Sequence, residues 1–229
     1  MLGVAKKVRV LNFHGVGTPG RDLDPGEDDY WISADRFRFV IERIAAHPDR
    51  DRMSITFDDG NISDYTTALP ELERHGLTAE FFILTGRIGK AEWMTETNIR
   101  ALRKMGMRIG SHGVDHQDWS VLSARELERE LRGSKERLED VCGEPVRSAS
   151  IPFGRYNAGV LTALKRAGYT SVYSSEGGTA ATSAFLKPRT SIRYRTTDAM
   201  LEWILSGRTP AWRRLRRTAQ MTMKKWSLA

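Results

Sequence analysis

Met53-Ser54-Ile55-Thr56-Phe57-Asp58-Asp59-Gly60 runs a short strand-like stretch straight into two adjacent carboxylates and a glycine. Apolar and β-branched residues in so short a run predict a strand, and the glycine predicts its end. The pattern repeats outward on both sides. Val8 to Phe13 reads as a strand ending at His14-Gly15, and a polar loop rich in Gly, Pro and Asp follows from Gly17 to Asp29. Ser33 can cap a helix whose inner face carries Phe37, Val40, Ile41 and Ile44. Asp64 starts a second helix, with Tyr65, Leu69 and Leu72 on one side and an end near Gly76. Further strands are expected over Glu80 to Leu84, Met107 to Ile109, Ala149 to Ile151, Tyr169 to Tyr173 and Leu186 to Ile192. Between them, Thr95 to Met105 is helical with Gly106 at C′, and Ser123 with Glu126 forms a capping box for a helix through Leu127, Leu131 and Leu138. Asn157 to Ala167 is a helix stopped by Gly168. About seven strands alternating with helices predict an α/β chain closed as a (β/α) barrel. The polar motifs fall just after strands, where barrel sites form.

With 229 residues the chain can bury the core of one such domain, and its one cysteine, Cys142, rules out an internal disulfide framework and fits a reducing compartment. Met1 to Val10 contains Lys6 and Lys7 but no apolar signal core, and no apolar run is long enough to span a bilayer, so the expected location is the cytoplasm. The net charge is +7. Between Gly207 and Trp226 there are seven basic residues (Arg208, Arg213, Arg214, Arg216, Arg217, Lys224 and Lys225) and no acidic one, so this segment carries the whole excess. A charge excess confined to one patch gives no reason to expect a nucleic-acid-binding core.

The chemistry is concentrated in two motifs. Adjacent carboxylates such as Asp58 and Asp59 repel unless a cation or a proton separates them. Leaving a strand they point different ways, so one can ligate a metal while the other faces a substrate. Ser111-His112-Gly113-Val114-Asp115-His116 brings two imidazoles four residues apart, which converge on one ion if the segment is helical or tightly turned. Two histidines and one carboxylate leave coordination positions open for water and substrate. Of the five histidines, His14 also follows a strand, whereas His47 and His75 are read as solvated and without a role.

Together these motifs resemble the NodB-homology polysaccharide deacetylases, carbohydrate esterase family 4. Thr56 to Gly60 matches the family's TFDDG, and His112 to His116 matches its H-[ST]-x-x-H except that Gly113 replaces the hydroxyl residue, with Ser111 as a substitute donor. The resemblance implies a distorted seven-stranded NodB-type barrel, Asp58 as catalytic base, and Asp59, His112 and His116 as metal ligands. It also implies a divalent cofactor, with Zn²⁺ expected and Co²⁺, Fe²⁺ or Ni²⁺ able to occupy the same donors. The third family motif corresponds to Pro152-Phe153-Gly154, which with Tyr156 is the expected substrate-contacting segment. Its usual arginine is missing, and Arg189 is the preferred replacement to neutralise the base, ahead of Arg147 and Arg155. The family's C-terminal histidine is also missing, since no histidine follows His116. His14 resembles the first-placed histidine of the circularly permuted poly-N-acetylglucosamine deacetylase branch, which makes it the expected general acid.

The implied activity is hydrolysis of the acetamide of an N-acetylated sugar, whether free, polymeric, nucleotide-linked or lipid-linked. The alternatives are an amidase or deformylase for a small amide, and a non-catalytic carbohydrate-binding homologue. The expected division is a catalytic domain over 1–206 and a basic tail over 207–229. If residues 211 to 226 are helical, Trp212, Leu215, Ala219, Met223 and Trp226 share one face. That face can lie on an anionic membrane at its inner surface or dock on the barrel.

Overall fold

The structure, a computed structural model, describes residues 7–208 and 210–226, excluding the side chains at 213, 214 and 225. Residues 1–6 and 227–229, which belong to the expected N-terminal segment and basic tail, lie outside the described residues. Strands β1 (Lys7–Phe13), β2 (Met53–Phe57), β3 (Ala79–Ile83), β4 (Arg108–Ser111), β5 (Ser148–Ser150) and β6 (Ser171–Ser174) pair in parallel, each with the next. β7 (Thr179–Ala181) runs antiparallel to the first half of β1. β8 (Leu186–Pro188) then pairs with β6, and β9 (Thr190–Ser191) pairs with β1. The sheet therefore returns to its first strand, which makes a distorted barrel.

Two departures from the sequence reading follow from hydrogen bonding. The stretch expected as one strand from Leu186 to Ile192 serves two neighbours and breaks at Arg189, the residue between them. β7 was not anticipated, because three residues with only Ala180 buried carry no hydrophobic period.

Helices α1 (Ala34–Ala45), α2 (Leu69–Arg74), α3 (Glu96–Lys104), α4 (Ala124–Glu128), α5 (Ser134–Cys142) and α6 (Ala158–Arg166) surround the sheet, followed by α7 (Asp198–Ser206) and α8 (Ala211–Trp226). The side chain of Ser33 accepts from the Arg36 amide, and Thr95 and Ser123 each form a full capping box. One π-turn, Asp64–Ala68, leads into α2, and another, Arg129–Gly133, joins α4 to α5. α7 was not recognised in the sequence, although Thr197 caps it.

Strand alternation sorts the side chains into two layers. Leu11, Phe13, Ile55, Phe57, Phe81 and Ile83 join the main core, in which Phe37 of α1 packs edge-on against Phe13. The pairing register lines up Phe13, Phe57 and Phe81, whose rings stack at 5.4 and 4.7 Å. The alternate residues turn into the barrel. There Val10, Phe82 and Tyr173 form a small apolar plug, and Tyr173 donates to the buried carboxylate of Glu80. Gly110 is required beside this plug, since a Cβ there would come within 2.4 Å of the Phe82 ring. Above the plug the interior is polar, with Asn12, Thr56 and Ser150 all buried. The Phe57→Ala variant is expected to lose about 3–5 kcal/mol of stability, read from its urea midpoint, because the ring is enclosed by three others.

Candidate active site

Asp59, His112 and His116 offer one ligand atom each, all within 4.8 Å of one another. Asp59 Oδ1 lies 3.4 Å from His112 Nε2 and 3.8 Å from His116 Nε2. That oxygen is buried and accepts no hydrogen bond, which is costly unless a cation completes it. The residues present thus fit a divalent metal. His112 Nδ1 lies 2.9 Å from the Ser150 carbonyl, so the tautomer that donates there leaves Nε2 free as a ligand.

The histidine segment is tightly turned rather than helical. Gly113 and His116 both have positive φ, 88° and 55°, and so do Asp59 at 77° and Phe153 at 56°. Strained backbone at non-glycine residues concentrates where side chains must be aimed. At Asp59 it turns the second carboxylate away from the first.

Asp58 sits in a different electrostatic setting. Arg189 NH1 donates to Asp58 Oδ1 at 2.8 Å and NH2 to Oδ2 at 2.6 Å, and both groups are buried. Asn12 Nδ2 adds a third donor at 3.0 Å. The same guanidinium also donates to Asn12 Oδ1, Thr56 Oγ1 and Ser150 Oγ. Burial by itself would raise the Asp58 carboxyl, but the Arg189 charge, then that of His112, holds it far below the usual carboxylate range. Arg189 thus meets Asp58 as the sequence reading expected, while Arg147 is exposed and Arg155 pairs with Asp118 at 3.1 Å.

His14 lies across the site, its Nε2 3.9 Å from Asp58 Oδ2 and its ring 4.7 Å from that of Tyr30. Burial lowers its pKa and outweighs the opposing pull of Asp59 and Asp58. His47 and His75, expected to be solvated, are half-buried; they lie outside the cavity lining.

Several contributors had no sequence signal. The buried carboxylate of Glu130 accepts from the amides of Val114 (2.8 Å) and Asp115 (3.3 Å), bracing the loop between the two histidines. A Cβ at Gly113 would come within 2.5 Å of Glu130 Oε2, so this carboxylate occupies the space of the missing hydroxyl residue. Ser111 Oγ accepts from the Gly113 amide at 3.0 Å. The loop after β1 is pinned by Arg21, which pairs with Glu27, donates to Asn61 Oδ1 at 3.0 Å and stacks 4.5 Å from the Trp93 ring. Asp64, read only as a helix start, is fully buried; burial, then the Asp59 and Asp58 charges, pushes its carboxyl well above the usual range.

These groups surround a cavity of ≈ 470 Å³ that contains His14, Asp58, Asp59, His112, His116 and Arg189 in its lining. Tyr30, Trp93 and Phe153 supply aromatic wall. Of the expected substrate-contacting segment, Phe153 and Gly154 line the cavity, with the Phe153 ring 4.4 Å from that of His116. Pro152 and Tyr156 do not: both are buried, and Tyr156 belongs to the main core. If Glu130 orients the ligand loop, Glu130→Gln should weaken zinc affinity about 10–100-fold by calorimetric titration of stripped protein; unchanged affinity would remove it from the site.

Residues 45–172 match the polysaccharide deacetylase family model. That span includes Asp58, Asp59, His112 and His116 but neither His14 nor Arg189. YxkH of Bacillus subtilis (strain 168) is 31% identical over 186 residues, covering 76% of this chain and 66% of that protein. A chitooligosaccharide deacetylase of Azorhizobium caulinodans is 30% identical over 120 residues, 52% of this chain and 55% of its own. The chain thus spans between about half and two thirds of these curated relatives. Among solved structures, the Streptococcus pyogenes deacetylase PplD in complex with acetate superposes with a TM-score of 0.75 at 21% identity, covering 88% of this chain and 99% of that one. IcaB from Ammonifex degensii does so at 0.72 and 18%, covering 88% and 97%. At these identities the likeness concerns the fold, a NodB-type barrel. The family match over more than half its length, on a barrel of that type, makes this chain a member of the polysaccharide deacetylase family, carbohydrate esterase family 4.

Proposed function

We propose that the chain is a metal-dependent carbohydrate N-deacetylase, which hydrolyses the acetamide of an N-acetylated amino sugar to acetate and a free amine. The observation that carries this reading is an Asp-His-His donor set beside a carboxylate clamped by arginine, in one cavity. Asp59, His112 and His116 would hold a divalent ion, which when bound would acidify a water and polarise the acyl oxygen. Zn²⁺ is the ion proposed, because two imidazoles and a carboxylate suit it and leave a position open; Co²⁺, Fe²⁺ and Ni²⁺ suit the same donors.

The chain's own groups divide the proton transfers. Asp58, fixed by Arg189 and Asn12, accepts a proton from the attacking water. His14, in its protonated form, gives one to the departing nitrogen, which leaves poorly without it. A buried imidazole whose pKa is lowered releases that proton readily. Arg189 and His14 occupy the roles whose usual family positions are vacant, which argues against a non-catalytic carbohydrate-binding homologue. The Phe153 ring is 56% exposed on the cavity rim, which suits an extended glycan better than a small amide in a closed pocket. Location at the inner side of a membrane is part of the same proposal and accords with a single free cysteine.

Stripped protein should release no acetate from N-acetylglucosamine oligomers until Zn²⁺ or Co²⁺ is restored. The Asp58→Asn variant should bind the metal yet show no turnover, and retained turnover would remove Asp58 as the base. The His14→Gln variant should lose about 10²–10⁴-fold in kcat on the acetamide but little on nitrophenyl acetate, whose leaving group needs no proton. Equal losses on both substrates would show that His14 acts otherwise than as the acid.

A further inference from the structure

We propose that α8 is a docking helix for an anionic lipid bilayer and that it holds the rim of the active-site cavity at the membrane surface. A terminal helix kept only for stability buries its apolar stripe and leaves its charges in water. α8 is mounted the other way round. Its half-buried residues Arg217, Met221 and Lys224 share the face toward the barrel. Arg217 NH1 donates to the Gly177 carbonyl at 3.1 Å, and Lys224 Nζ reaches both the Gly154 carbonyl and Glu176 at 2.7 Å. On the opposite face Trp212, Leu215, Met223 and Trp226 are exposed by 58, 71, 71 and 80%. At 100° per residue these four and Ala219 form a single stripe along sixteen residues.

Charge selects the occupant. The segment from Gly207 to Trp226 contains seven basic residues and no acidic one. Pairing the stripe with that of a second copy would bring two cationic helices together. A bilayer rich in anionic headgroups instead accepts tryptophan and aliphatic side chains at its interface and attracts the flanking cations. No described helix is long and apolar enough to cross a membrane, so α8 lies on the surface. In this proposal residues from Gly207 onward form a unit distinct in role from the barrel.

The anchor point gives the docking a purpose. Gly154, held by Lys224, lines the cavity beside the exposed Phe153. A bilayer under α8 therefore lies next to the rim at which a glycan enters. On the deacetylase reading, the substrate is an amino sugar presented at the membrane, as on a lipid carrier; the docking of α8 itself does not depend on that reading.

The test is co-sedimentation of the whole chain with phosphatidylglycerol vesicles and with phosphatidylcholine vesicles, at low and high salt. The comparison is Leu215→Glu with Met223→Glu, two exposed residues remote from the catalytic groups. The wild type should bind the anionic vesicles, release with salt and bind the neutral ones weakly. The double variant should bind at least about tenfold more weakly while hydrolysing soluble N-acetylglucosamine oligomers at the wild-type rate. Failure of the wild type to bind anionic vesicles, or unchanged binding by the variant, overturns the proposal. So does a wild-type dimer, seen by light scattering, that the variant dissociates without any vesicle binding. Vesicle binding by a protein that releases no acetate would uphold the docking surface and reject the deacetylase reading.

Discussion

Arg189 grips both oxygens of Asp58 in the polar upper half of the barrel, and that contact organises everything around it. A buried ion pair is favourable only when its remaining donors and acceptors are met; breaking one by removing a partner costs about 3–5 kcal/mol. Here Asn12, Thr56 and Ser150, one from each of three strands, meet most of them, while Arg189 Nε has no hydrogen-bond partner among the described residues. The pair also explains how two adjacent carboxylates coexist. Asp58 faces the guanidinium, while the positive φ of Asp59 turns its side chain toward two imidazoles. Asp58 is thus neutralised by Arg189, and Asp59 is turned toward the donor set that fits a cation.

The same contact is a consequence of barrel closure. Arg189 is the residue at which the chain leaves β6 as a partner and takes up β1. Since β9 pairs with β1, residues near opposite ends of the chain, His14 and Arg189, meet at one corner of the cavity. This is how a chain with no histidine after His116 still places an imidazole opposite Asp58. The loops contribute stiffness. Glu130 braces the histidine turn from a π-turn between two helices, and Arg21 fixes the long loop that supplies one wall.

The helix α8 follows a different rule. Arg217 and Lys224 anchor it to carbonyls and to Glu176, and Leu215, Met223 and Trp226 on the opposite face are exposed. A stripe of that kind on sequence alone is compatible with either orientation, because amphipathicity defines two faces without saying which one meets the barrel.

Most of the strand and helix order, the capping residues Ser33 and Ser123, and the candidate donor set Asp59, His112 and His116 were legible in the chain because each depends on local spacing or on a compact motif. Phe13, Phe57 and Phe81 could be assigned to strands, but their stacking needed the register. β7 and the break at Arg189 were not legible, since they depend on which strand the chain meets after a long excursion. Nor was the burial of Tyr156 in the main core, which depends on how the segment after β5 packs. Glu130 carries no local signal for its place, since its burial comes from packing around the turn it braces. The sequence by itself determined which chemical groups are available and which lie at strand ends. Tertiary structure decided which of them share a cavity, which arginine meets Asp58 and which side of α8 faces outward, because those depend on contacts between segments that local spacing does not encode.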